Sequence, residues 1–274
     1  MKSNQPIGIF DSGIGGLTVA KALKQELPDE SIIYIGDTAH LPYGDKSTAA
    51  VQAYAVRITD YLMKRRCKII LIACNSASAA AYDLVVEFVG KRALVFDVIN
   101  PTVGYIRENF QNEKIGLIGT KQTVDSNVYH HKIDKLRQGI ELRSLATPLL
   151  VPMIEEGIFS DTISSDIIQR YLDEPHLTGI KSLILGCTHY PIIKDQINDF
   201  YTNRSNIIDV IDSAQTVASA LKSYLEANQL VAKSRTEEDQ FFVTDYTLSF
   251  ENTTKLFFGQ KVHLQHLQIW DEFN

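Results

Sequence analysis

Short, almost wholly apolar runs alternate along the chain with longer stretches in which apolar residues return every three or four positions. The short runs, at residues 7–10, 31–36, 69–73, 93–98, 115–119, 140–146, 183–186, 207–211 and 240–244, read as strands buried on both faces. The longer stretches, at 17–26, 48–65, 78–88, 102–110, 125–137, 161–171, 194–200 and 214–227, carry the spacing of amphipathic helices. Strands alternating with helices predict an α/β protein of mostly parallel sheets joined by right-handed crossovers.

A faint internal repeat divides this pattern in two. Gly8-Ile9-Phe10-Asp11-Ser12 is echoed by Gly116-Leu117-Ile118-Gly119-Thr120, Leu41-Pro42 by Val151-Pro152, and Cys74 by Cys187, each at an offset of about 110 residues. The expectation is two pseudo-symmetric domains, each a mostly parallel sheet flanked by helices. The first would be discontinuous, formed by residues 1–99 and 209–274, and the second would occupy 100–208. A chain that crosses twice between domains makes a hinge around a cleft, the natural place for a site. The last stretch, with Gly259, Val262, Leu264, Leu267 and Ile269, reads as a strand or edge hairpin without chemistry.

Composition narrows the functional classes. The 274 residues are 45% hydrophobic and carry a formal charge of -6, so no basic field is available for nucleic acid or an anionic membrane. Lys64-Arg65-Arg66 reads as a short solvated run. No apolar stretch is long enough to span a bilayer, and Asp11 interrupts the apolar start before it could form a signal peptide. Three cysteines without close pairing do not make a disulfide framework; a reducing cytoplasm is the expected setting, where free thiols remain available for chemistry.

Both halves end an apolar strand at a thiol. The two segments are Ile69-Ile70-Leu71-Ile72-Ala73-Cys74-Asn75-Ser76-Ala77-Ser78 and Leu183-Ile184-Leu185-Gly186-Cys187-Thr188-His189-Tyr190-Pro191. Ligands of open α/β sheets bind beyond the carboxyl ends of the strands, so both thiols are delivered to a binding edge. Cys74 stands ahead of a helix expected from Ser78, whose free N–H groups favour a thiolate; a buried structural cysteine is the other reading. Cys187 is followed by Thr188 and His189, which are poor core filler, and His189 could pass a proton or meet a substrate anion. Cys67, between Arg66 and Lys68, reads as a strand start without a chemical role.

Asp11 closes the first strand and is followed by Ser12-Gly13-Ile14-Gly15-Gly16. This turn lacks the dinucleotide fingerprint and a Walker lysine, and Asp11 would repel a phosphate. It suits a small carboxylate ligand, with Asp11 contacting an ammonium or orienting a base. After the second strand, Tyr43 could offer a phenol and Gly44 a bare backbone, while Asp37 and His40 read as plain turn residues. Glu155-Glu156 follow an apolar loop; one of them could aid a base, or both could form a solvated helix start.

Together these segments resemble glutamate racemase, within the cofactor-independent aspartate/glutamate racemase family, over essentially the whole chain. The resemblance is carried by Phe10 to Gly16, Leu41-Pro42-Tyr43-Gly44, Ala73 to Ser78, Val151-Pro152 with the glutamates after it, and Gly186 to Pro191. It implies that Cys74 and Cys187 are the two acid/base thiols, serving the D- and L-enantiomers respectively. It implies that Asp11 assists Cys74, and that His189 and a glutamate, with Glu155 favoured over Glu156, assist Cys187. The implied substrate contacts are Asp11, Ser12, Tyr43, Gly44, Asn75, Ser76, Thr188 and His189. Ser76 stands where the family usually has Thr, which keeps the hydroxyl. Aspartate racemases share the plan but usually carry Glu in place of His189 and His in place of Ser78, which favours glutamate here. The implied enzyme is a cytoplasmic isomerase and homodimer that supplies D-glutamate for peptidoglycan synthesis, hence for the cell wall and cell shape.

Such a reaction removes the α-proton from one face of the substrate and returns a proton to the other, so one partner must start as thiolate and the other as thiol. No lysine is marked out for a pyridoxal Schiff base, and Cys74, Cys187 and His189 are too few and too scattered for a metal site; neither cofactor nor metal is expected. Two rivals remain at this stage. One is a redox or zinc-binding protein using both thiols, and the other is a non-catalytic small-molecule sensor on the same two-domain scaffold.

Overall fold

Parallel pairing joins every strand of the computed structural model, which describes residues 2–235 and 237–270. The first half runs β1 (Ile7–Asp11), α1 (Leu17–Glu26), β2 (Ile32–Gly36), α2 (Thr48–Lys64), β3 (Ile69–Ile72), α3 (Asn75–Val89) and β4 (Leu94–Asp97). After α4 (Ile99–Asn109) the second half follows as β5 (Lys114–Gly119), α5 (Lys121–Asp125), α6 (Val128–Asp134), β6 (Glu141–Ala146) and α7 (Leu150–Glu155). It continues through α8 (Thr162–Leu172), β7 (Ser182–Gly186), α9 (Lys194–Thr202) and β8 (Asp209–Asp212). The chain then returns through α10 (Ser213–Ala227) to β9 (Gln240–Val243), α11 (Leu248–Phe258) and β10 (Gln265–His266).

The strand orders are β10-β9-β2-β1-β3-β4 and β6-β5-β7-β8. The four strands β2-β1-β3-β4 are therefore wound as β6-β5-β7-β8 are, which gives the internal repeat a structural form. Cys74 follows β3 and Cys187 follows β7, the third strand of each unit. β1, β2, β3 and β7 are buried along their whole length, because helices cover both faces, and that explains their unbroken apolar runs. α10 packs against both α1 and α4 and buries Val217, Leu221 and Leu225. Each of these side chains contributes about 1.5–3 kcal/mol to holding the halves together.

Three local expectations change. The return at residue 209 comes one strand later, because β8 pairs with β7 in the register Ser182↔Asp209 and covers its open edge; residues 209–212 belong to the second sheet. The helix expected at 125–137 is broken, since Asn127 takes a left-handed φ of 55° between α5 and α6. Residues 248–258, which carry no clear periodicity, form α11, started by the Thr247 side chain accepting from Phe250 N–H and stopped by Gly259 at φ 91°. Of the strand or edge hairpin expected over 259–269, the structure has the strand: β10 runs parallel to β9 at the edge of the sheet. Among the described residues no helix is long and apolar enough to cross a membrane.

Candidate active site

Loops from the carboxyl ends of β1, β2, β3, β5 and β7, together with α7, converge on one narrow cleft with about 30 Å³ of enclosed space. Its walls include Ser12, Tyr43, Gly44, Cys74, Asn75 and Ser76 from the first half, and Glu155, Cys187, Thr188 and His189 from the second. Asp11 lies fully buried beside it. The structure thus gathers the nominated residues around one space, although they are spread over much of the chain.

On the first side, α3 begins at Asn75, three residues earlier than expected, which makes Cys74 the capping residue. Ala77 N–H donates to Cys74 Sγ at 3.4 Å, and Ser12 Oγ lies 3.8 Å from the sulfur. The helix terminus was expected to favour the thiolate. Burial and the negative charge of Asp11 outweigh it, pushing the Cys74 thiol up to about 12. Asp11 Oδ2 accepts from Gly13 N–H at 3.1 Å and Gly16 N–H at 3.0 Å, which clamps the glycine turn against β1. Burial raises the Asp11 carboxyl, while His189 and these amides oppose the shift. A Cβ on Gly16 would stand 2.5 Å from the Asp11 Cβ, so the turn can close over the carboxylate only without a side chain there.

The second side is built differently. His189 Nδ1 lies 3.7 Å from Cys187 Sγ, and its Nε2 lies 2.9 Å from Glu155 Oε1. Burial works against a charged imidazole, but the bonds to Cys187 and Glu155 outweigh it and push His189 up to about 10. The ring rests on Gly15, where an added Cβ would stand 2.4 Å from His189 Cε1, and meets the edge of Phe257 from α11 at 5.1 Å between centroids. Thr188 ties the halves together: its hydroxyl approaches Asp11 Oδ1 at 3.5 Å and its carbonyl accepts from Thr18 at 2.9 Å.

The remaining wall supplies hydrogen-bonding groups. Asn75 Nδ2 is buried without a partner, a donor free for a ligand. Ser76 Oγ and Thr120 Oγ1 are 2.9 Å apart across the cleft. Tyr43 departs from expectation: its side chain is buried and its hydroxyl donates to Asp37 Oδ2 at 2.6 Å, so the phenol is not available to a ligand. Asp37 is correspondingly more than a turn residue. It also accepts from Thr244 at 2.7 Å and Trp270 at 3.0 Å, and His40 Nδ1 lies 3.0 Å from it, which fixes the segment 41–44 as a wall.

A sequence model of the Asp/Glu/Hydantoin racemase family matches residues 17–221. The chain belongs to this racemase family. It is 38% identical over 263 residues to glutamate racemase of Chlorobaculum parvum, covering 96% of this chain and 95% of that one. Against glutamate racemase 3 of Caldanaerobacter subterraneus the identity is 35% over 266 residues, with 97% and 95% covered. Its fold superposes on the crystal structure of glutamate racemase from Francisella tularensis in complex with D-glutamate with a TM-score of 0.89, at 39% identity, covering 98% of this chain and 99% of that one.

This member of the racemase family has cleft residues that its sequence did not name as catalytic or as substrate contacts. Thr120 caps α5 at the carboxyl end of β5, the place that Ser12 holds after β1; the internal repeat already paired the two. Leu41, Pro42 and Val151 supply the apolar part of the lining. Phe257 could not have been found, because it reaches His189 from a helix that the apolar pattern does not reveal.

Proposed function

We propose that the chain interconverts L- and D-glutamate by a two-thiol acid/base mechanism without a cofactor, supplying D-glutamate for peptidoglycan synthesis. The observation that carries the proposal is that Cys74 and Cys187, from equivalent strands of two sheets of one winding, open into a single cleft. In the L-to-D direction the Cys187 thiolate takes the α-proton and the Cys74 thiol returns a proton to the opposite face; the reverse direction exchanges their roles. The Cys74 thiol, buried beside Asp11, suits the acid. The His189 cation, backed by Glu155, suits a partner for a thiolate at Cys187. Asn75 Nδ2 and the Ser12 hydroxyl are the donors for a substrate carboxylate or the carbanion, in a cleft that admits little water.

Circular dichroism of L-glutamate, and separately of L-aspartate, incubated with dialysed and chelator-treated protein tests the proposal. Loss of the glutamate signal to zero is the expected result. Faster decay with aspartate would reassign the substrate, and activity only after adding pyridoxal phosphate or metal would overturn the mechanism.

A further inference from the structure

Asn75 adjoins Cys74 in the first half, but its side chain is held from the second. Tyr129 on α6 is almost completely buried, and its hydroxyl donates to Asn75 Oδ1 at 2.9 Å. An amide whose oxygen is occupied in this way has its nitrogen left for another partner, and Nδ2 is buried without one in a residue that lines the cleft. Burial and the charge of Asp97 keep the Tyr129 phenol protonated, so it remains a donor. We infer that Tyr129 is a positioning residue that locks the Asn75 amide with Nδ2 toward a substrate carboxylate. Without the phenol the amide can turn over and present Oδ1, an acceptor, to that anion. The bond also crosses between the halves, so the donor is set only while α6 lies against the start of α3.

The inference rests on the proposed amino-acid substrate, and its test separates the two. Racemisation of both glutamate enantiomers is measured for the unaltered chain, Tyr129→Phe, Asn75→Ala and the double variant. Because phenylalanine keeps the ring in the core, Tyr129→Phe is expected to fold and to raise KM for both enantiomers about fivefold, the scale of one hydrogen bond, with kcat within about twofold. In the Asn75→Ala background the same change is expected to do nothing further. Asn75→Asp, which keeps the acceptor but lacks Nδ2, is expected to bind worse than Asn75→Ala. An unchanged KM in Tyr129→Phe, or a full additional loss in the double variant, would overturn the inference. If the unaltered chain does not turn over glutamate, the functional reading falls. Calorimetric binding of D-glutamate to the same four proteins then decides the role of Tyr129: the same non-additive loss supports it, and additive losses or no binding to any of them reject it.

Discussion

Cys74 and Cys187 follow equivalent strands, yet the charges beside them have opposite signs. Cys74 has a buried carboxylate and backbone amides for neighbours; Cys187 has an imidazole that is itself backed by a carboxylate. Repeated topology therefore accounts for where the thiols stand, and not for how each holds a proton. That difference is set by single side chains drawn from elsewhere: Asp11 from the end of β1 on one side, Glu155 from α7 on the other. Each turnover needs one thiol and one thiolate, and the unequal neighbours give each sulfur its own means of changing between the two as the direction reverses.

The largest effect should come from removing either thiol. Cys74→Ser and Cys187→Ser are each expected to reduce racemisation roughly a thousandfold or more. Each variant should still eliminate chloride from one enantiomer of a β-chloro analogue, Cys74→Ser from the L-form and Cys187→Ser from the D-form. Elimination from the same enantiomer by both variants would erase the distinction between the two sides.

Changing the neighbours should have smaller, directional effects. Asp11→Asn and His189→Asn are each expected to lower kcat about a hundredfold in opposite preferred directions, the first where Cys74 abstracts and the second where Cys187 does. Enantiomers have equal energies, so kcat/KM must stay equal in the two directions and KM must compensate. Deuterium isotope effects with each Cα-labelled enantiomer report which transfer has slowed; identical changes in both directions would contradict the assignment.

Packing around the imidazole distinguishes the sides again. Gly15→Ala must displace His189 or Thr188 and should cost about 1–3 kcal/mol of stability together with roughly a tenfold loss of activity. Gly13→Ala, whose nearest contact would be Leu41 Cδ2 at 3.7 Å, should fold with nearly unchanged stability. Urea unfolding of the pair checks the contrast.

The smallest effect is a pH dependence that the second side contributes. His189 is raised from 6.5 to about 10 on folding, so its contribution to stability is fully present below about pH 6.5 and is lost as pH rises through about 10. His189→Asn should therefore destabilise the protein by about 1–3 kcal/mol at pH 6, and the gap should close above pH 10. A gap that stays constant across this range would show that the imidazole is not held as a cation.

The sequence by itself determined the alternation of strands and helices, the repeated unit, and the two strand ends that carry thiols. These follow from local physics: a strand covered on both faces must be apolar along its length, and the residue after it must emerge at the carboxyl edge of the sheet. It also brought forward Asp11 and His189, because polar residues beside apolar strand ends have no place in a core, whereas the glutamate pair was assigned a role only by the family resemblance. Other features were decided only by tertiary structure. The Cys74 thiol is raised because burial and a neighbouring charge exceed the helix terminus, a balance that depends on distances no spacing encodes. Tyr43 gives its hydroxyl to Asp37, and Tyr129 reaches Asn75, because folding brings together groups from separate loops and helices. α11 lacks a legible apolar stripe, and its Thr247 cap and Gly259 stop mark a helix without revealing that Phe257 will meet His189. Backbone pattern is local and can be read along the chain, whereas the charge and hydrogen-bond partner of each side chain belong to whatever the fold places next to it.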